Sequence, residues 1–236
     1  MKILPSFLIV ITFISIIPIP KKFMPVWNDK TLRYFCVMLP VSGLIFGVIW
    51  QVCFDIINLT GNLKGLIMML LTLALTGGLH MDGFMDTCDA IFSHRNRETK
   101  LKILSDTHAG SFAVIGCVII LLAKTLLFAE LVNSQNIFII PVYSRLGMAI
   151  LLNNLPFAKS DGLAVTLGKL RRRSDNFYLL IMMLLLAFVN VKILVIMLSC
   201  LACWGIICVK IFGGITGDLL GAFVEISEVI MLIGSL

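Results

Sequence analysis

The feature that most restricts this chain is a train of apolar runs, each close to the length of a membrane crossing, repeated from one end to the other. They cover 3–19, 34–59, 63–79, 112–131, 137–155, 177–190, 193–212 and 219–236. A helix needs about 20 mostly apolar residues to traverse the hydrocarbon of a bilayer. Backbone N–H and C=O groups find no water at that depth, so such runs must satisfy one another as helices. The stretch from Phe177 to Phe212 is too long for one crossing and divides at Asn190-Val191-Lys192. The first run carries Pro5, Pro18 and Pro20 and is followed by Lys21-Lys22 rather than a small-residue cleavage site, so it reads as a retained helix. The expectation is an all-α, polytopic transmembrane bundle of about seven or eight spans, forming a single integral membrane domain over 1–236.

Composition agrees with that reading. Hydrophobic residues make up 59% and charged residues 14% of the chain, whereas a soluble domain carries roughly 25% charged residues. This excludes disorder, a fibrous chain and a disulfide-stapled scaffold. The seven cysteines lie mostly inside apolar runs, and Cys200-x-x-Cys203 has neither a histidine nor a second pair beside it, so packing is the simpler role. The net charge of +6 does not call for nucleic acid, because the cations sit in short segments between runs. Fourteen of the 19 Lys and Arg residues fall in segments 20–33, 82–110, 156–174 and 210–218, against three (Lys2, Lys64 and Lys192) on the opposite side. That asymmetry assigns the richer side to the cytoplasm.

With only 13 acidic residues, their placement is informative. Asp82, Asp86 and Asp89 occur within Gly77-Gly78-Leu79-His80-Met81-Asp82-Gly83-Phe84-Met85-Asp86-Thr87-Cys88-Asp89. On a helix, the i, i+4, i+7 spacing gathers the three carboxylates on one stripe. Like charges so arranged at a membrane surface need an offsetting partner: a divalent cation, a cluster of Arg or Lys, or a proton. Clustered hard oxygens suit Mg²⁺ or Mn²⁺, and His80 is the nearest nitrogen donor. The plain alternative, a solvated helix end paired with Arg95 and Arg97, fits poorly with the neighbours Met81, Phe84, Met85 and Ala90. Asp106, in Ser105-Asp106-Thr107-His108, is a further ligand, a base, or part of a helix cap. Gly213-Gly214-Ile215-Thr216-Gly217-Asp218 opens the last run on the same side and has the composition of a phosphate-approaching turn. Lys169 with Arg171 to Arg173 could hold phosphate, or merely report orientation and anionic lipid. Lys124, Arg145, Glu225 and Glu228 are ionisable groups inside runs and need partners in the bundle, whereas Glu130 sits near the outer end of its run.

The stretch from Gly77 to Asp89 resembles the GGLHxDGxxDTxD signature of the adenosylcobinamide-GDP ribazoletransferases, or cobalamin (5′-phosphate) synthases. Thr12-Phe13 with Pro18-Ile19-Pro20, Asp106 to Gly110, Arg145, and Thr216 to Ala222 with Glu225 to Glu228 are similar to the same family and follow in its order. Two positions depart from it: Ile16 and Ile17 stand where an Arg is common before Pro-x-Pro, and His108 where many members have Arg. The resemblance implies that α-ribazole or its 5′-phosphate is joined to adenosylcobinamide-GDP with release of GMP, and that the bilayer is the protein's setting. It also implies Mg²⁺, with Mn²⁺ as substitute, on Asp82, Asp86, Asp89 and Asp106. Asp89, Asp106 and His80 would act as catalytic groups, and Arg95, His108, Lys169, Arg171, Gly214, Thr216 and Asp218 as substrate contacts. Homo-oligomerisation is left open. Two other readings are a CDP-alcohol phosphotransferase, whose Asp-Gly-x-x-Ala-Arg element is missing here, and a transporter, whose acidic path would cross the bilayer rather than gather at one face.

Overall fold

The structure, a computed structural model, describes residues 3–131 and 137–236; Lys2, counted above for orientation, lies outside them. Twelve α-helices follow in order: α1 Ile3–Ile14, α2 Asp29–Leu32, α3 Phe35–Ile56, α4 Gly61–Thr76, α5 Leu79–Phe92, α6 Arg97–Ile103, α7 Ser111–Glu130, α8 Ile140–Asn154, α9 Leu163–Lys169, α10 Arg173–Val189, α11 Val191–Ile207 and α12 Gly217–Ile233. Among the described residues the only extended pairing is a parallel bridge, Phe157 to Ile215. Each apolar run is therefore helical over most of its length, and the division at Asn190 is real: its side chain accepts from Ile193 N–H and caps α11.

Among the described residues, four segments can cross a membrane by length and composition: α3, α7, 137–154 and 191–212. The pair α4 and α5 makes a fifth if it is one broken span. The expected seven or eight exceeds this count because α1, α10 and α12 form only 12, 17 and 17 residues of helix. At 1.5 Å per residue, even 17 residues reach only about 26 Å, short of a ~30 Å hydrocarbon layer.

Helix α8 is the axis of the bundle, buried on nearly every side, with α3, α10, α11 and α12 around it and α5 and α7 beyond α12. With no water to expel between helices in lipid, close backbone approach supplies the packing. Gly43 on α3 shows it: a Cβ there would stand 2.7 Å from Val142 Cα on α8. Gly83 on α5 meets α12 in the same way, since a Cβ would stand 2.8 Å from Asp218 Cα. Tyr143 donates its hydroxyl to the carbonyls of Leu186 and Asn190, at 2.8 and 2.9 Å, and so fastens the α10–α11 corner to α8.

Candidate active site

The site begins at a break. Gly77 and Gly78 adopt φ of 59° and 76°, left-handed values that cost a residue with a Cβ, and the chain turns by 94° between α4 and α5. The apolar run and the Asp stripe thus lie on two differently directed helices, where the sequence alone reads the second as a continuation of the first. Helix α5 then packs between α12 and α7.

On this frame Asp82 and Asp86 line a polar cavity of about 320 Å³ together with Ser105, Asp106 and Thr107. Asp82 is also a wall of a second, mainly apolar chamber of about 150 Å³, in which Phe13, Phe35, Met148 and Leu152 face His80, Asp82 and Asp218. Asp218 in turn borders a third cavity, of about 230 Å³, with Lys159, Asp161 and Thr216. Three cavities therefore lie side by side with Asp82 and Asp218 as their partitions. The charges that act on Asp86 are those of Asp82, Asp218, Asp89 and Lys159. Among the described residues none of the four aspartates makes a salt bridge.

The remaining residues singled out by sequence fall in different places. Asp89 turns to the start of α7, accepting from Gly110 N–H at 2.6 Å and Ala113 N–H at 2.9 Å, so here it caps a helix. Asp106 is exposed and accepts from His108 N–H, with His108 Nδ1 at 2.7 Å. These hydrogen bonds from His108, side chain before backbone, hold the Asp106 carboxyl below its ordinary range. His80 is buried, and its Nε2 has no hydrogen-bond partner among the described residues. Thr216 caps α12 by accepting from Leu219 N–H and donates to Asp218. Gly214 is buried under the backbone of residues 156–158 and lines none of the three cavities. Arg95 is exposed beyond the end of α5, and Lys169 is exposed at the end of α9. Arg171 donates to the carbonyl of Leu155 at 3.0 Å and lies over the Phe157 ring. With Arg172 and Arg173 it lines a separate polar pocket of about 230 Å³ beside Asn153 and Asn176. Among the described residues, no three His, Cys, Asp or Glu side chains converge closely enough to hold a metal ion by themselves.

Lys159 is the member that sequence reasoning passed over, counting it only for orientation. The Phe157–Ile215 bridge and the hydrogen bond from Ala158 N–H to Ile215 carbonyl lay its loop beside the start of α12. Its ammonium then donates to Ser105 Oγ at 2.7 Å. Nothing in the local sequence marks it, because the bridge joins segments far apart in the chain.

The fold is that of a helical membrane protein in which a break between two helices gathers carboxylates beside a polar cavity and an apolar chamber. The chain belongs to the cobalamin-5-phosphate synthase family, whose profile matches residues 6–236. It is 34% identical over 239 residues to the adenosylcobinamide-GDP ribazoletransferase of Geobacillus sp. strain WCH70, covering 93% of this chain and 90% of the relative. It is 32% identical to the enzyme of that name from Citrobacter koseri, covering 96% and 97%, and 30% identical to that of Clostridium botulinum, covering 94% and 93%. No solved structure matches it.

Proposed function

We propose that this protein joins α-ribazole, or its 5′-phosphate, to adenosylcobinamide-GDP and releases GMP, at the cytoplasmic face of a bacterial or archaeal inner membrane. A ribose hydroxyl attacks the phosphorus bonded to the cobinamide arm. The new P–O bond replaces the bridging P–O bond of the diphosphate, the hydroxyl proton passes to a carboxylate, and GMP leaves with the electron pair. The observation that carries this reading is the cavity lined by Asp82, Asp86 and Asp106 with Ser105 and Thr107, the first two on the helix whose sequence resembles the family signature.

The donor set suits Mg²⁺ or Mn²⁺: oxygen only, acidic, beside a cavity open enough for waters and phosphate oxygens to complete the shell. Asp82 and Asp86 would hold the ion, with Asp106 contributing as the substrate brings its own oxygens, in keeping with the lack of three converged side chains. When bound, the ion neutralises charge on the phosphoryl oxygens. Phosphoryl displacement needs little covalent help and depends on positioning, and the residues of this chain supply that. Lys159 and Thr216 border the cavity next to Asp218 and can meet phosphate oxygens. Asp218, which borders both the apolar chamber and the third cavity, would orient the ribose hydroxyl and take its proton. Asp89 keeps α5 and α7 in register through its two amide bonds.

Purified protein in nanodiscs, given both substrates with Mg²⁺ and then with excess chelator, tests the reading. GMP and the joined corrinoid should appear only when both substrates are present and should stop on chelation. GMP release without α-ribazole would overturn the transfer, and full activity in chelator would overturn the metal.

A further inference from the structure

We infer that the apolar chamber between α1, α3, α5, α8, α9 and α12 receives the aromatic base of the ribazole acceptor and sets which bases are accepted; this rests on the transfer reading above. The chamber's volume, about 150 Å³, is that of a cavity known to hold a benzene-sized ring. A flat fused ring entering from the partly open side fits, and a corrin macrocycle does not. Its walls are Phe13, Phe35, Met148, Leu152, Leu163 and Leu167, carried by four different helices, with the small side chain of Ala164 among them. The polar members, His80, Asp82 and Asp218, are three.

Two observations point to a ligand there. His80 is 2% exposed, and its Nε2 has no hydrogen-bond partner among the described residues. A buried ring nitrogen left without a partner carries a desolvation cost that a bound polar group relieves. The chamber also shares Asp82 with the carboxylate cavity. A molecule with an apolar ring and a hydroxylated sugar, seated ring-inward, therefore brings its sugar to His80, Asp82 and Asp218, next to the phosphate cavity. The guanine of the other substrate is a poorer occupant. Its edge carries several donors and acceptors, most of which would be buried unpaired against the Phe and Leu walls. An alkylated benzimidazole carries none on its outer edge.

Two variants away from the carboxylates test this: Ala164→Leu narrows the chamber and Leu167→Ala widens it. Each is assayed in nanodiscs with adenosylcobinamide-GDP and a series of α-nucleosides bearing dimethylbenzimidazole, unsubstituted benzimidazole or adenine. Ala164→Leu should raise KM for the dimethylated acceptor by about 10-fold or more, the scale of a methyl group or two in a pocket, while KM for adenosylcobinamide-GDP stays within about twofold. It should also turn preference toward the unsubstituted base, and Leu167→Ala should turn it toward the bulkier one. If Ala164→Leu fails to fold, Leu167→Ala decides by the same preference. An unchanged order of bases in an active variant, as expected were a lipid chain the occupant, would overturn the inference. So would a KM change that falls on adenosylcobinamide-GDP. Should the wild type release no GMP, the transfer reading fails by itself. Equilibrium binding of labelled α-ribazole then still decides the chamber: tight to wild type and weakened about 10-fold by Ala164→Leu upholds it, and equal binding to both overturns it.

Discussion

Glu225 and Glu228 lie about two and three turns further along α12 than Asp218, yet the bundle treats the two groups of acids in opposite ways. Lys124 Nζ donates to Glu225 at 2.6 Å and to Glu228 at 2.9 Å, and Arg145 pairs with Glu228, all four side chains being buried. Two cations answer two anions, and Ser144 adds a hydrogen bond to Glu228. Near the start of the helix, Asp218 lines one chamber with Asp82 of α5, and Asp82 lines another with Asp86. The Lys159 charge acts on Asp86 and Asp218, and among the described residues none of the three aspartates closes a salt bridge. In hydrocarbon an ion must be matched inside the protein. At the cavity, matching can be left to whatever enters. Closed pairs hold the helices together, and open carboxylates are available for work.

This contrast can be broken most forcefully from the closed side. Glu228→Gln should cost about 3–5 kcal/mol by leaving Arg145 and Lys124 under-compensated, read as thermal unfolding in detergent; joint replacement with Arg145→Met should recover much of the loss. A small change in the single variant would mean that the pairing contributes little. On the open side, Asp82→Asn or Asp86→Asn should lower turnover by at least about 10²-fold, the scale of one lost electrostatic stabiliser, with the melting temperature almost unmoved. A variant that melts early instead would place that aspartate with the glutamates. Asp89→Ala sharpens the boundary. Loss of a helix cap predicts a destabilisation of about 1 kcal/mol, and turnover falling as far as in Asp82→Asn would show that the residue does more than cap.

The smallest effect concerns pH. Because His108 holds the Asp106 carboxyl below its ordinary range, Asp106 contributes stability at pH values above the unfolded carboxylate range, and that contribution fades as pH falls through the lowered folded value. The group is exposed, so the stability effect should be slight. His108→Ala should return the carboxyl to the ordinary range, moving the acid limb of the rate profile upward in pH. An unmoved limb would separate Asp106 from the reaction.

Much of this architecture is legible in the chain. Apolar runs became helices, Asn190 divides α10 from α11, and the buried ions found the partners that their placement in lipid demanded. The Asp82–Asp86 stripe follows from helical spacing, and both residues line one cavity. What could not be read depends on contacts distant in sequence. The sequence runs the apolar stretch straight on into the Asp stripe, whereas the structure turns the chain by 94° at Gly77-Gly78 and seats α5 against α12 and α7. Spacing puts Asp89 on the stripe; only the arrival of Gly110 and Ala113 shows where its oxygens are spent. Lys159 reaches the site through a single backbone bridge. The basic cluster at Lys169 to Arg173 shares a side with the aspartates but opens into a pocket of its own.

The partner that covers α5 has a consequence for biogenesis. The helix bearing three aspartates is made early, whereas α12, against which it packs, is the last described helix to leave the ribosome. Until then the acidic half-helix has α7 on one side but lacks its main partner, and a segment so charged gains little from entering lipid unaided. The nascent chain must therefore keep α5 near the headgroups and draw it inward only when α12 docks, making the reaction centre one of the final parts of the molecule to assemble.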